Sequence, residues 1–280
     1  MTWRIRVEHH SCYEYSGVVR ASYNEARVTP LTTDTQLVLE STVEVDPDTH
    51  PFRYIDYWGS VVHAFDIHQP HTRLEIIGRS VVETTVPPLR LTDLSWDDLC
   101  SDVVRDDFSE LLAPTVYVPV DARLDEVADT IKAEHSPGTA GQAAIEWVRR
   151  ELAYVPGTTG VHTSATEAWE GRQGVCQDFA HLALALARSM GIPARYCSGY
   201  LHPNPDVGIG ATVEGEGHAW VEMWTGDWTA LDPTIGWPIG ERHVLVARGR
   251  DYADVAPIKG IFHGGPTSRL QVTVRLTRLG

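Results

Sequence analysis

The first 86 residues alternate between apolar and polar positions with a period of two. Segments rich in β-branched and aromatic residues follow one another: WRIRVEHHSCYEY, ASYNEARVTP, TQLVLESTVEV, VVHAFDIHQ and RLEIIGRSVVETTV. Such alternation is typical of strands that bury one face, and turn-forming clusters separate the segments. The pattern predicts an antiparallel, β-rich N-terminal module over residues 1–86, with a hairpin or bend at Tyr57, Trp58 and Gly59.

Residues 87–120 do not continue this pattern. Prolines occur at Pro87, Pro88, Pro114 and Pro119, and the acidic stretch from 91 to 110 carries only isolated apolar positions. Proline clusters and weak periodicity are typical of a segment that joins two domains. We therefore expect a solvated connector at 87–120 and a second domain at 121–280.

The second domain opens with helical spacing. Residues 120–135 and 138–155 each predict a helix. The segment GVCQDFAHLALALARSMGIPARYCSGYL, residues 174–201, then predicts a longer helix whose apolar stripe consists of Phe179, Leu182, Leu186 and Met190. Gly191 and Pro193 end this helix, and a strand over 194–201 follows.

A glycine-rich loop at 202–217 precedes two further predicted strands, HAWVEMW and DWTALDPT. A turn at 225–227 separates them, which predicts antiparallel neighbours. The chain is thus expected to be an α+β protein with a central helix packed on an antiparallel sheet.

Composition narrows the class of protein. With 280 residues and 42% hydrophobic content, the chain can fill a sizeable core. The charged N-terminus does not resemble a signal peptide, and no run of about 18 apolar residues occurs. The four cysteines are scattered without a CxxC pair: Cys12, Cys100, Cys176 and Cys197. This spacing argues against a disulfide scaffold or a zinc cluster and predicts a cytoplasmic protein.

The formal net charge of −15 bears on partners. Phosphate backbones and anionic lipids would be repelled, so neither nucleic acid nor a membrane is expected as a partner. The sequence leaves open whether the chain forms a homo-oligomer.

Cys176 lies where the predicted central helix begins. There, unpaired backbone amides and the positive end of the helix dipole stabilise a thiolate. Gly171 and Gly174 allow a sharp bend before it, which leaves the Cys176 amide free to stabilise an oxyanion. Taken alone, Cys176 is better interpreted as a small buried hydrophobic residue at a helix start.

His218 and Asp232 change that interpretation. They fall on the two neighbouring strands, so their side chains can meet. A histidine beside the thiol would accept its proton, and a carboxylate on the other ring nitrogen would orient the ring. A strand histidine or a turn aspartate before Pro233 has an ordinary structural explanation by itself, and only the combination of the three predicts a catalytic site.

Other residues receive weaker predictions. Gln177 is a substrate-binding candidate, and Asp178 in the same first turn is expected to cap the helix. Four tryptophans lie near the histidine and the aspartate in the sequence: Trp220, Trp224, Trp228 and Trp237. They are interpreted either as the lining of a substrate groove, with Trp220 as the main candidate, or as part of the sheet core. The remaining histidines show no metal-ligand spacing, so no metal site is predicted.

Three motifs together carry a resemblance to a known family. RQGVCQDFAHLALALARSMGIPARYCSGY, GHAWVEMW and WTALDPT resemble the core motifs of the transglutaminase-like superfamily, over roughly residues 140–240. The first 85 residues also resemble the β-rich N-terminal region of bacterial members, among them proteins described as cysteine proteases. The family's cysteine, histidine and aspartate map onto Cys176, His218 and Asp232.

The resemblance implies a papain-like catalytic domain over 121–280 that forms an acyl-thioester from a protein or peptide amide, without a cofactor. Oxyanion donors implied in this way are the Cys176 amide and an upstream side chain, with Tyr154 and Trp147 as candidates. Hydrolysis of the thioester by water is the leading hypothesis for the reaction. Transfer to an amine, as in protein-glutamine acyltransferases, and an inactive binding module are the alternatives.

Overall fold

A computed structural model describes residues 2–86, 94–236, 239–265 and 267–280 of the chain. Pro87 and Pro88 of the predicted connector, and Trp237 of the tryptophan cluster, lie outside the described residues. Within these ranges no helix is both long enough and apolar enough to cross a bilayer.

The strands are β1 Thr2–Val19, β2 Ala21–Ala26, β3 Gln36–Asp46, β4 Phe52–Ile55, β5 Val61–Ile67, β6 His71–Thr85, β7 Ala153–Tyr154, β8 Gln173–Gly174, β9 Ala194–Leu201, β10 Thr212–Gly215, β11 Gly217–Trp224, β12 Trp228–Leu231, β13 His243–Gly249, β14 Ile258–His263 and β15 Ser268–Arg278. The helices are α1 Trp96–Leu99, α2 Asp102–Asp107, α3 Ser109–Leu112, α4 Ala122–Glu134, α5 Pro137–Glu151, α6 Ala165–Gly171, α7 Cys176–Ser189 and α8 Tyr252–Val255.

The predicted β-rich N-terminal module is confirmed and consists of two sheets. One has the order β10-β15-β1-β6-β3, and the other has the order β14-β2-β5-β4. β1 alternates between exposed and buried positions over its first half, as the period-two pattern predicts. The bend at 57–59 joins β4 to β5. Gly59 has a φ of 83°, a backbone conformation that residues with a Cβ rarely adopt.

Strands from the end of the chain complete both N-terminal sheets. β15 pairs antiparallel with β1, and β14 pairs antiparallel with β2. The sequence analysis assigns residues 258–280 to the second domain, whereas their strand pairing joins them to the N-terminal module. Local alternation identifies a strand but not its partner, which is why the sequence pattern missed this return.

The described part of the predicted connector, residues 94–120, is structured. It contains the three short helices α1–α3. Leu99, Val104 and Val118 are buried in the main core, and Leu111 is also buried. Asp97, Asp98 and Asp102 stay exposed. The expectation of a solvated connector was therefore wrong for these residues, because each short helix buries one apolar side chain.

The second half of the chain is built around α7, and its predicted helices and strands are confirmed. α7 packs against β11 and β9 in the sheet β12-β11-β9-β13, while α4, α5 and α6 cover its other sides. Every residue from 177 to 188 is buried, so this helix is enclosed on all faces. The predicted loop at 202–217 contains one strand, β10, which pairs with β15.

Candidate active site

Cys176 is the first residue of α7, and its side chain is half-buried. The backbone amides of this first turn have no partner inside the helix and lie at the positive end of its dipole. Gly174 is required just before it, because a Cβ there would lie 2.6 Å from Asp178 Oδ2. The backbone at Gly174 thus packs closely against the side chain of Asp178 in the first turn of α7.

Asp178 caps the helix, as expected. Its Oδ2 accepts hydrogen bonds from the Val175 amide at 2.7 Å and from the Thr159 hydroxyl at 2.6 Å. Gln177, predicted to bind substrate, donates its side-chain amide to the carbonyl oxygen of Val161 at 3.2 Å. Both side chains therefore fasten the loop at 155–163 to the start of α7.

His218, on β11, is brought beside the thiol by the packing of β11 on α7. Cys176 Sγ lies 4.0 Å from the carbonyl oxygen of Gly217, the residue before His218. The Cys176 and His218 side chains are close enough to interact. His218 Nε2 donates to Asp232 Oδ2 at 2.6 Å. Because Nε2 faces Asp232, Nδ1 is the ring nitrogen left for Cys176.

Asp232 directly follows β12 and is fully buried. The pairing of Leu231 with Val221 sets β12 against β11 and carries the carboxylate to the His218 ring. Its Oδ1 accepts the backbone amides of Thr234 at 2.8 Å and Ile235 at 3.2 Å. Cys176, His218 and Asp232, predicted as one site, are thus brought together: the thiol lies beside His218, and His218 hydrogen-bonds to Asp232.

The electrostatics of this site favour a charged His218. Burial of the ring acts to lower its pKa, but hydrogen bonds and charge interactions with Asp232 and Cys176 outweigh burial and raise the pKa to about 9. Burial similarly acts to raise the pKa of Asp232, yet its two histidine partners hold it well below the usual range. At neutral pH the pair is therefore an imidazolium and a carboxylate.

A second histidine on Asp232 was missed by the sequence analysis. His243, at the start of β13, has its Nε2 3.1 Å from Asp232 Oδ2. No motif surrounds His243, and β13 reaches the site only by pairing with β9, so no local signal could have found it. The His243 ring also lies 5.4 Å from the ring of Trp220.

The same three groups are the ones to examine for a metal. His218 Nε2, Asp232 Oδ2 and His243 Nε2 all lie within 4.8 Å of one another. Each of these atoms is engaged in a hydrogen bond to another of the three, at 2.6 Å and 3.1 Å. Hydrogen bonds among the three side chains therefore explain this arrangement without a bound metal ion.

The remaining predicted site residues differ in position. Tyr154 is 47% exposed. Its pKa is raised by burial and by the charges of Cys176 and Glu216, so its phenol lies near the nucleophile. Trp147 packs on Trp169, with ring centroids 5.6 Å apart, in contact with the core.

Trp220 was predicted to bind substrate, but it is buried in an apolar cluster with Leu31 and Leu245. Its ring lies 6.2 Å from that of His218. Trp224 and Trp228 both pack on Phe108. All three tryptophans thus pack against other side chains, and Trp220 and Trp228 also line a cavity.

Comparisons with known proteins agree with this architecture. An uncharacterized protein of Mycobacterium leprae is 50% identical over 277 residues, which cover 99% of each chain. A protein-glutamine gamma-glutamyltransferase of Pseudomonas aeruginosa is 30% identical over 120 residues, 40% of this chain and 18% of that protein. The crystal structure of a candidate cysteine protease from Cytophaga hutchinsonii matches with a TM-score of 0.75 and 22% identity, covering 99% of this chain and 98% of that one.

Two family profiles account for most of the chain. The bacterial transglutaminase-like N-terminal region matches residues 5–83, and the transglutaminase-like superfamily core matches residues 125–233, the range that includes Cys176, His218 and Asp232. The chain therefore belongs to the transglutaminase-like superfamily, as a member with the bacterial transglutaminase-like N-terminal region.

Proposed function

We propose that this chain is a cysteine-dependent hydrolase that cleaves an amide bond in a protein or peptide through an acyl-thioester on Cys176. One observation carries the proposal: the Cys176 thiol at the start of α7 lies beside His218, whose ring hydrogen-bonds to the buried Asp232. An imidazolium next to a thiol at a helix start is the environment in which a cysteine acts as a nucleophile near neutral pH.

The reaction follows from this arrangement. Cys176 Sγ, its proton held on His218 Nδ1, attacks the amide carbonyl carbon, and the oxyanion accepts hydrogen bonds from the Cys176 amide and the Tyr154 hydroxyl. His218 Nδ1 then gives its proton to the leaving amine as the carbon–nitrogen bond breaks, which leaves a thioester. Water, deprotonated by the same nitrogen, attacks the thioester, and the carboxylic acid and the free thiol are released.

Exposure of the site supports water as the acceptor. Cys176 is only half-buried, and Tyr154 beside it is 47% exposed. Water at bulk concentration competes with any amine at an open site, and transfer to an amine requires that water be excluded. Hydrolysis is therefore the reaction we assign to the thioester.

Transfer to an amine is the second candidate. The relative from Pseudomonas aeruginosa is named a protein-glutamine gamma-glutamyltransferase, and it matches 40% of this chain. The carboxylate of Glu216 interacts with Tyr154 next to the nucleophile, where a negative charge would attract a cationic amine. Both candidates share the same thioester, so they differ only in the second half of the reaction.

The test has two stages, of which the first measures alkylation of Cys176 by iodoacetamide at pH 6 with mass-spectrometric site assignment. Cys100 is exposed and serves as the comparison thiol in the same molecule. We expect Cys176 to react much faster than Cys100 in the native protein, and to lose this advantage in His218→Ala. Equal labelling of Cys176 in both proteins would overturn the enzyme proposal in favour of a binding module.

The second stage separates the two reactions. A library of peptide amides is incubated with the protein, with and without a primary amine such as cadaverine, and products are identified by mass. Hydrolysis predicts carboxylic acid products whose mass does not change when the amine is added. Amine adducts that form in place of the carboxylic acid would favour transfer to an amine. Cys176→Ala is the control, because every product of either reaction must disappear with the nucleophile.

A further inference from the structure

Asp232 is shared between two histidines, of which only His218 is used in the proposed mechanism. His243 Nε2 lies 3.1 Å from Asp232 Oδ2, and the His243 side chain is 3% exposed. A buried polar group so placed restricts its neighbour, because any rotation of the carboxylate would break a hydrogen bond that water cannot replace.

The hydrogen bonds of His243 define its protonation. The Gly240 backbone amide donates to His243 Nδ1 at 3.2 Å, so the proton of the neutral ring is on Nε2 and points to Asp232. Burial lowers the pKa of His243 despite its hydrogen bond to Asp232. His243 is thus a neutral donor, which orients the carboxylate without placing a second positive charge beside the His218 imidazolium.

Together these contacts engage both carboxylate oxygens of Asp232. Oδ1 accepts from the amides of Thr234 and Ile235, and Oδ2 accepts from His218 and His243. The donors on Oδ1 fix one end of the carboxylate. His243 fixes the other end at the position from which it contacts His218.

His243 also borders a cavity of about 430 Å³ between the catalytic sheet and the N-terminal module. Residues 32–36 of the N-terminal module line this cavity together with Trp220 and Arg195. Asp232 itself is fully buried. Without the imidazole, cavity water would reach the carboxylate and weaken its interaction with His218, since a higher local dielectric screens charge.

The N-terminal module holds the segment that carries His243. Gln36 donates through Nε2 to the carbonyl oxygen of Leu245 at 2.8 Å and accepts the Leu245 amide through Oε1 at 2.8 Å. The hydroxyl of Thr84 donates to the carbonyl oxygen of Glu241. The residues on both sides of His243 are therefore fastened to a part of the chain that lies outside the catalytic core.

We propose that His243 is a positioning residue, held by the N-terminal module, that fixes Asp232 and shields it from the cavity so that the Asp232–His218 pair stays aligned on Cys176. This inference rests on the proposed cysteine-dependent function. It gives the N-terminal module a direct part in the site, through Gln36 and Thr84, in addition to its contribution to the core.

The test compares iodoacetamide labelling of Cys176 at pH 6 in the native protein, His218→Ala, His243→Ala, His243→Gln and His9→Ala. The glutamine amide can donate from nearly the position of the lost Nε2–H, so His243→Gln should label within about threefold of the native protein, while His243→Ala should label about tenfold more slowly. His9 is the matched control: it is also buried, and it joins β1 to Tyr200 of the catalytic sheet by a hydrogen bond of 2.9 Å.

The outcomes separate this inference from the proposed function. Slow labelling in His243→Ala, with recovery in His243→Gln and native rates in His9→Ala, would support the positioning role. If His218→Ala loses labelling but His243→Ala retains the native rate, the positioning role is wrong and the enzyme proposal stands. If Cys176 labels equally slowly in both His243 variants and in His9→Ala, His243 acts only through general stability, and the inference is overturned. A native rate of Cys176 labelling in His218→Ala would contradict the proposed function itself.

Discussion

At the scale of single residues, the candidate nucleophile, histidine and aspartate could be predicted because their residue types and flanking motifs are local to the sequence. The hydrogen bond from His218 to Asp232 confirms that neighbouring strands bring the two together. His243 could not be predicted, because its approach to Asp232 depends on the pairing of β13 with β9 and not on any adjacent residue. The role of Gln177 in substrate binding stays a prediction, and its side-chain amide donates to the carbonyl oxygen of Val161.

The raised pKa of His218 predicts a dependence of stability on pH. The ring binds its proton up to a pKa of about 9 in the folded protein and up to 6.5 when unfolded. Its contribution is therefore fully present below pH 6.5 and is lost as pH rises through 9, because the unfolded chain releases the proton first. The free energy of unfolding should fall by up to about 1.4 kcal/mol per pH unit within this window.

Urea denaturation of Cys176→Ala and of Cys176→Ala/His218→Gln between pH 7 and pH 8.5 measures this effect. The cysteine is removed because a proton that passes from its thiol to His218 is bound in the folded and the unfolded chain alike. Burial lowers the pKa of the other perturbed core histidines, so they are largely neutral in both states in this range: His9, His181, His202 and His243. Cys176→Ala should lose stability across the range, because Asp232 still raises the pKa of His218, and the double variant should show a much flatter profile. Parallel profiles for the two proteins would contradict the assigned charge of His218.

At the scale of elements, periodicity predicted the strands of the N-terminal module and the helices α4, α5 and α7. The pattern failed where few apolar residues carry the signal, as in α1–α3, whose lengths are only four to six residues. It also predicted an apolar stripe on α7, whereas the helix is buried on all sides. Alanines complete the buried surface there, and they weigh little in a hydrophobic pattern.

The start of α7 depends on a glycine. A Cβ at position 174 would approach Asp178 Oδ2 to 2.6 Å, whereas one at position 171 would meet nothing within 4 Å. Gly174→Ala should therefore destabilise the protein by about 1–3 kcal/mol and slow Cys176 labelling, because the first turn must shift. Thermal unfolding and iodoacetamide labelling check this prediction, with Gly171→Ala as the near-neutral control. Equal behaviour of the two variants would show that the turn absorbs the extra methyl group.

The loop at 155–163 is predicted to depend on one hydroxyl. Thr159 donates to Asp178 Oδ2 at 2.6 Å, and its replacement by the similarly shaped valine leaves that buried carboxylate with fewer donors. Thr159→Val should lose about 1–3 kcal/mol of unfolding free energy. Thr158→Val is the control, since the Thr158 hydroxyl makes only an exposed bond to the carbonyl of Val155. A loss of the same size in Thr158→Val would mean that the contact with Asp178 is not responsible.

At the scale of the whole molecule, the sequence predicted two consecutive domains with a connector, and the strand order differs from that picture. The chain begins in the N-terminal module, builds the catalytic sheet and returns to the module through β14 and β15. Pairing between residues more than 250 positions apart, such as Ile5 with Arg278, leaves no local trace in the sequence. The two parts share one core cluster, which contains Ile5 and Leu276 as well as Leu184 of α7.

This shared core predicts that a substitution on the last strand disturbs the distant active site. Leu276 of β15 is fully buried in the cluster that also contains α7, whereas Leu270 on the same strand is 46% exposed. Leu276→Asp buries a carboxylate without a partner, so we expect a loss of more than about 3 kcal/mol together with slower Cys176 labelling. Leu270→Asp should change stability by no more than about 0.5 kcal/mol, because its side chain stays in water. Urea denaturation and labelling of both variants measure the effect. Normal labelling in a destabilised but folded Leu276→Asp would show that the catalytic core holds its geometry independently of the returning strand.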